Sequence, residues 1–165
     1  DLRAEHSFNT DDIADIVIET YKVAVDVTGA FKNTTEDEAK FSTPYCVAAA
    51  LLYGKITLAE FVPEVLAGEK LAKLAKCVHM YEDPQATSAF PGGRKAKVTI
   101  RMTDGRSYSK SIEATDDRPD YEAVERKFMA LMQGRITEQR AQELRRIILD
   151  MDNVTQIGEL TQLLK

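Results

Sequence analysis

Three polar side chains lie at the predicted start of a helix, where together they could bind a carboxylate. Lys40 supplies a positive charge, and Ser42 and Tyr45 supply hydroxyl donors. The first N–H groups of a helix have no partner within it, and the helix dipole makes this end positive. The residues therefore predict an anion site. The alternative is that Ser42 only caps the helix, Tyr45 packs in the core and Lys40 lies in solvent.

Three further groups of residues could take part in chemistry, but each is more typical of structure. The loop at residues 89–95 contains glycines and basic side chains, and most such loops only lead into a strand. His79 lies in a predicted strand, where a half-exposed or hydrogen-bonded histidine is expected more often than a general base. The third group is a cluster of carboxylates, which is typical of a solvated loop and the start of a helix. Its members are Asp116, Asp117, Asp120 and Glu122.

Common catalytic motifs are absent from the sequence. There is no GxSxG, GxxxxGK[ST], HExxH or GxGxxG pattern, which gives no support to the usual nucleophile, phosphate and dinucleotide sites. Cys46 and Cys77 form no CxxC pair, and only two histidines accompany them, so no zinc site is predicted. Both cysteines lie in apolar runs, as free thiols in a reducing, cytoplasmic compartment do.

A sheet and a buried helix must position these residues. Strict alternation over residues 95–102 predicts a half-exposed strand, and Asp104-Gly105 predicts a hairpin turn to a return strand. Residues 13–21 and 77–82 predict two more strands. We therefore predict an α+β fold with an antiparallel sheet of about four strands packed with helices.

The core helix is predicted over residues 44–53. Pro44 suits the first helical position, and Gly54 can end the helix in the left-handed conformation. Apolar residues occupy every side, which predicts a helix buried all round. After Pro119 only helical patterns follow. This change predicts an α+β domain at residues 1–118 and a helical segment at residues 119–165.

Composition excludes several classes of protein. The 165 residues carry a net charge of −5 without a block of Lys or Arg, so nucleic acid is not expected as a partner. No apolar run reaches the roughly 18 residues that span a bilayer, so no membrane partner is expected either. With 44% hydrophobic residues, the chain can bury a core.

Two adjacent segments resemble the signature of the MmgE/PrpD family: EAKFS at residues 38–42 and PYCVAAALLYG at residues 44–54. The resemblance spans nearly the whole chain, and the order and spacing of its pieces make it specific. The other matching pieces are DDI at 11–13, FPG at 90–92, KVTI at 97–100, TDGR at 103–106 and RKF at 126–128.

The resemblance implies an enzyme with a large helical domain, a smaller α+β lid domain and an active site between them. This chain resembles the lid, over residues 1–118, and helices that return to the large domain, over residues 119–165. That large N-terminal helical domain is an expected partner. The family's acid/base residues lie upstream of residue 1, so no catalytic residue is expected here. By this resemblance Tyr45 corresponds to a tyrosine of the family's substrate site. Lys40 and Ser42, the other two residues of the predicted anion site, are expected to bind substrate with it.

The implied activity is that of an enzyme without cofactor or metal, acting on a di- or tricarboxylate. A dehydratase of the 2-methylcitrate type is favoured over a decarboxylase or an epimerase. The isolated chain is expected to be inactive, and the protein to be a homodimer. The competing hypothesis is a non-enzymatic module that binds a carboxylate or mediates oligomerisation.

Overall fold

The chain divides into two compact units, Asp1–Asp117 and Arg118–Lys165, in a computed structural model that describes residues 2–114 and 120–164. The strands of the first unit are β1 (Ile13–Thr20), β2 (Val78–Glu82), β3 (Arg94–Met102) and β4 (Ser107–Ala114). Its helices are α1 (Leu2–Glu5), α2 (Lys22–Thr28), α3 (Glu36–Lys40), α4 (Thr43–Tyr53), α5 (Pro63–Leu66), α6 (Glu69–Ala75) and α7 (Pro84–Ala89). Two 3₁₀ turns, Thr10–Asp12 and Leu58–Phe61, complete it.

The four strands form one sheet in the order β2-β1-β3-β4, which confirms the predicted α+β class. The sheet is mixed, so the prediction of an antiparallel sheet is right only in part. β3 pairs antiparallel with both β1 and β4, but β2 runs parallel to β1. β2 can run parallel to β1 because helices α2 to α6 connect the two strands. These helices return the chain to the end of the sheet at which β1 begins.

The β3–β4 hairpin forms where alternation and turn residues predicted it. Gly105 adopts a φ of +88°, which a residue with a side chain rarely adopts. The carboxylate of Asp104 accepts a hydrogen bond from the main-chain N–H of Arg106 at 3.0 Å and fixes the turn. Alternate residues of β3 therefore face the core, with Ile100 and Met102 only 2% and 3% exposed.

The core lies between one face of the sheet and the helices. Helix α4 is its centre, because every residue of α4 before Tyr53 is buried or half-buried. Pro44 stands in the first turn, and Gly54 ends the helix with a φ of +76°, as predicted. The core residues packed with it from other elements include Ile16, Ile18, Leu71, Leu74, Val78 and Ile100.

The other face of the sheet is polar and carries ion pairs between neighbouring strands. Arg101 bonds Asp15 at 2.8 Å, and Lys97 pairs with Glu19 at 3.2 Å. Since these pairs join β3 to β1, they match the antiparallel register. The exposed face thus carries charged side chains where the opposite face carries apolar ones.

The second unit contains α8 (Tyr121–Met132), α9 (Glu138–Leu149), the 3₁₀ turn Met151–Asn153 and α10 (Ile157–Gln162). Asp120 caps α8 and Thr137 caps α9. Leu144 and Ile147 are buried, whereas Ile148 and Leu149 on the same helix are 43% and 55% exposed. The unit therefore buries only part of its apolar stripe. No helix in the described part of the chain is long and apolar enough to cross a bilayer.

Candidate functional site

Ser42 caps the core helix from inside the fold. Its side chain is fully buried, and its Oγ donates a hydrogen bond to the carbonyl oxygen of Ala30 at 2.8 Å. The same oxygen accepts hydrogen bonds from the main-chain N–H groups of Lys32 at 3.2 Å and Tyr45 at 3.3 Å. Its donor and both acceptor positions are in use. Groups of the protein itself thus use the hydrogen-bonding positions of Ser42, which the sequence predicted as part of an anion site.

Tyr45 lies with its hydroxyl inside the domain. The residue is 0% exposed, and its hydroxyl donates a hydrogen bond to the carbonyl oxygen of Glu60 at 2.5 Å. Its ring packs against Phe61, with the ring centres 5.6 Å apart. Burial raises the pKa of Tyr45 to about 12, so the hydroxyl remains a donor at neutral pH. Because that donor is engaged by the main chain, substrate binding by Tyr45 stays a prediction.

Lys40 presents its charge at the surface beside these two residues. Its side chain is 35% exposed, with Nζ 2.8 Å from a carboxylate oxygen of Glu36 and 3.8 Å from one of Asp37. The ammonium also lies 6.0 Å from the centre of the Phe61 ring, which favours a cation there. Exposed ion pairs three or four residues apart on a helix are weak. A carboxylate from outside could therefore replace Glu36.

A depression of about 450 Å³ adjoins this lysine. Two of the residues that line it, Glu36 and Phe61, are the residues that Lys40 contacts. The others are Asn33, Thr34, Thr35, Pro63, Leu66 and Ala67. The lining thus combines hydroxyl, amide and carboxylate groups with apolar side chains. Such a depression suits a small acid with an aliphatic part.

The structure gives the three predicted residues different positions: Ser42 caps α4, Tyr45 lies in its first turn, and Lys40 ends the preceding helix α3. Ser42 and Tyr45 bond to main-chain atoms within the fold, and Lys40 alone keeps an exposed polar group. Of the three, Lys40 is the residue that can exchange partners with a ligand. The other two fix the position of the chain that carries it.

The remaining candidates take structural roles. In the loop at residues 89–95, the N–H of Gly93 bonds the carbonyl of Ala89 at 2.9 Å, and Lys95 pairs with Glu113 at 3.1 Å. His79 is half-exposed on β2, with Nε2 3.7 Å from a carboxylate oxygen of Asp15. This contact lies on the polar face of the sheet.

The carboxylate cluster is only partly within the described residues. Asp116 and Asp117 lie outside them. Asp120 is the N-cap of α8, and Glu122 lies on its first turn, 3.6 Å from Arg126. Among residues 2–114 and 120–164, no group of three His, Cys, Asp or Glu side chains could hold a metal ion.

Glu60 is the residue that sequence reasoning missed. It is only 7% exposed, although it is charged. Burial opposes its ionisation, but hydrogen bonds from the hydroxyl and N–H of Thr57 outweigh burial and hold the pKa of the carboxyl below its usual value. The signal was available as Thr57 followed three residues later by Glu60, the pattern of a capping box.

Comparison with known proteins finds a family and several relatives. The MmgE/PrpD C-terminal domain matches residues 1–153. The 2-methylcitrate dehydratases of Salmonella typhimurium (strain LT2) and Salmonella typhi are each 26% identical over 108 aligned residues, and the match covers 61% of this chain. The 2-methylcitrate dehydratase of Escherichia coli (strain K12) is 24% identical over the same length. The chain spans about a fifth of each relative, 22% of its length.

Fold and site together define an α+β domain with helices over one face of a mixed sheet and with an exposed lysine, Lys40, at the end of the helix that precedes the central helix. Since the family match covers most of its length, the chain belongs to the MmgE/PrpD family.

Proposed function

We propose that this chain is the C-terminal α+β domain of an enzyme that removes water from a di- or tricarboxylate, as a dehydratase of the 2-methylcitrate type does. The observation that carries the proposal is the match of residues 1–153 to the C-terminal domain of the family, together with the 108-residue similarity to 2-methylcitrate dehydratases. A decarboxylase or epimerase within the family is the alternative. The mechanism proposed is independent of metal and cofactor.

The domain's contribution would be to bind a carboxylate rather than to move a proton. Elimination of water beside a carboxylate builds up negative charge, which fixed cations and donors stabilise. Lys40 supports this role because its ammonium is exposed beside the depression and its ion pairs on its own helix are weak. We propose Lys40 as the substrate-contacting residue.

Ser42 and Tyr45 would act as positioning residues for Lys40. Ser42 ties the start of α4 to Ala30 and Lys32, and Tyr45 ties α4 to Glu60. Phe61, beside Glu60, lies under the Lys40 ammonium. The two hydrogen-bonded residues would thus hold the start of α4, which follows the helix that carries the cation, and the ring beneath the cation.

The groups that transfer protons would come from an N-terminal helical domain, and the working enzyme would be a homodimer. The isolated chain is accordingly proposed to be catalytically silent. The test is an assay of two proteins, the 165-residue chain and the protein from the complete reading frame. Both are incubated with 2-methylcitrate, citrate and cis-aconitate.

The expected result is dehydration of 2-methylcitrate by the complete protein and none above background by the isolated chain. Turnover by the isolated chain would overturn the proposal that an N-terminal helical domain supplies the groups that transfer protons. Decarboxylation of cis-aconitate without any dehydration would assign the alternative activity.

A further inference from the structure

Glu36 belongs both to the ion pair of Lys40 and to the lining of the depression beside it. One carboxylate oxygen of Glu36 lies 2.8 Å from Nζ of Lys40, and Glu36 also lines the depression of about 450 Å³. Its side chain is 54% exposed, so the carboxylate has room to leave the ammonium for solvent. An acid that takes its place on Lys40 therefore binds with the displaced charge of Glu36 close by.

The lining of the depression is negative and partly apolar. Among the described residues that line it, Glu36 is the one charged side chain, and both Pro63 and Ala67 are exposed apolar residues. Thr35 caps α3 with its Oγ1 atom, which accepts a hydrogen bond from the N–H of Glu38 at 3.2 Å, so this N–H is already bonded. An uncharged aliphatic group therefore suits the depression better than a second carboxylate does, because like charges repel.

Two segments that line the depression are fixed to each other. Nδ2 of Asn33 donates a hydrogen bond to the carbonyl oxygen of Leu66 at 2.9 Å, which joins the loop before α3 to the end of α5. Phe61 also lines the depression, and the centre of its ring lies 6.0 Å from Nζ of Lys40. A ligand held at Lys40 thus has a defined place for its substituent.

We infer that Glu36 selects which part of an acid enters this domain. The acid binds with one carboxylate on Lys40 and an uncharged aliphatic group in the depression, and Glu36 repels an acid that would place a second carboxylate there. The further carboxylates of a di- or tricarboxylate lie outside the depression. This inference rests on the proposed contact between Lys40 and the substrate, and it adds the residue that orients the substrate on that contact.

The size of the effect follows from the charges. A like charge about 5 Å from a second carboxylate in an exposed site weakens binding about three- to fivefold. Removing the charge of Glu36 also frees Lys40 from a surface pair, which tightens the binding of any acid about twofold. Since only the first effect depends on a second carboxylate, the ratio of the affinities of two acids isolates it.

The test compares butyrate with succinate, two four-carbon acids that differ by a methyl group in place of a second carboxylate. Dissociation constants for the 165-residue chain are measured by NMR at constant ionic strength, from the shifts of the Ala67 methyl group. Glu36→Gln removes the charge at the depression, and Lys40→Met removes the cation. Glu38→Gln is the matched control, because it changes the net charge equally, two residues along α3 and off the face of Glu36.

The expected result is that Glu36→Gln tightens succinate about three- to fivefold more than butyrate. Glu38→Gln should change the ratio of the two dissociation constants less than about 1.5-fold, because salt screens a more distant charge. An NOE between the methyl groups of butyrate and Ala67 should place the aliphatic end in the depression, and Lys40→Met should weaken both acids. Thermal unfolding shows that each variant is folded.

Equal effects of Glu36→Gln and Glu38→Gln on the ratio would overturn the inference. So would a wild-type chain that binds no butyrate, or butyrate binding that Lys40→Met leaves unchanged. If these results accompany dehydration of 2-methylcitrate by the complete protein, the inference fails and the proposed function stands. The expected ratio together with no dehydration would contradict the proposed function and support the selection by Glu36.

Discussion

The hydroxyl of Tyr45 lies 2.5 Å from the carbonyl oxygen of Glu60 and donates a hydrogen bond to it. The carboxylate of the same glutamate caps the 3₁₀ turn at Leu58–Phe61 through Thr57. The core helix α4 is therefore hydrogen-bonded to the main chain of this 3₁₀ turn, and the capping box of Thr57 and Glu60 fixes the start of the turn. Both partners are buried, so the bond is protected from water.

Replacing Tyr45 by phenylalanine is expected to destabilise the fold. Tyr45→Phe keeps the ring that packs on Phe61 but leaves the buried carbonyl of Glu60 without this donor. An unsatisfied buried group of this kind costs about 1–3 kcal/mol of unfolding free energy. Urea denaturation measures the change. Tyr53→Phe is the control, because Tyr53 is 46% exposed and its replacement should change stability little.

Alkaline pH is expected to remove the contribution of Tyr45. Burial raises the pKa of Tyr45 to about 12, while an unfolded tyrosine titrates near about 10. The folded state therefore holds this proton more tightly, and the resulting stability is complete below about pH 10 and is lost as pH rises toward 12. Urea midpoints of the wild type and Tyr45→Phe should converge over this window. A constant difference between the two proteins across it would show that Tyr45 does not titrate in this way.

Gly54 is expected to be required at the end of the core helix. Its φ of +76° is left-handed, and an added Cβ would meet only an atom of Arg3 at 3.9 Å, so strain rather than collision decides the outcome. Gly54→Ala should lower stability by about 1–2 kcal/mol.

The matched control for Gly54 is Gly158→Ala in α10. A Cβ built on Gly158 has no neighbour within 4 Å among the described residues. This change should be neutral or stabilising by up to about 1 kcal/mol, because alanine favours helix. Equal effects of the two substitutions would contradict the assignment of Gly54 as a left-handed cap.

Local patterns predicted the elements of the fold well. Pro44 and Gly54 bounded the core helix, and the alternation before Asp104 predicted β3, because these signals act within a few residues. The direction of β2 could not be predicted this way. It depends on how the helices between β1 and β2 return the chain, which no short pattern records.

The candidate site shows the limit of such local patterns. The sequence grouped Lys40, Ser42 and Tyr45 at the start of the core helix, whereas in the structure Ser42 caps α4, Tyr45 lies in its first turn and Lys40 is the last residue of α3. The sequence did not predict that the carbonyl groups of Ala30 and Glu60 accept the hydroxyl hydrogen bonds of Ser42 and Tyr45. These partners are 12 and 15 residues away along the chain. Such contacts depend on how separate loops fold back.

The most direct test of the proposed function is kcat/KM for dehydration of 2-methylcitrate by the complete protein and its Lys40→Met variant. Lys22→Met is the matched control, because Lys22 forms a similar exposed pair with Asp26 at 3.0 Å. Loss of a charged contact to the substrate predicts a fall in kcat/KM of about 10- to 100-fold for Lys40→Met, with an unchanged Tm. The wild type and Lys22→Met should be equally active. A wild-type protein without dehydratase activity, or a Lys40→Met variant with wild-type kcat/KM, would contradict the account.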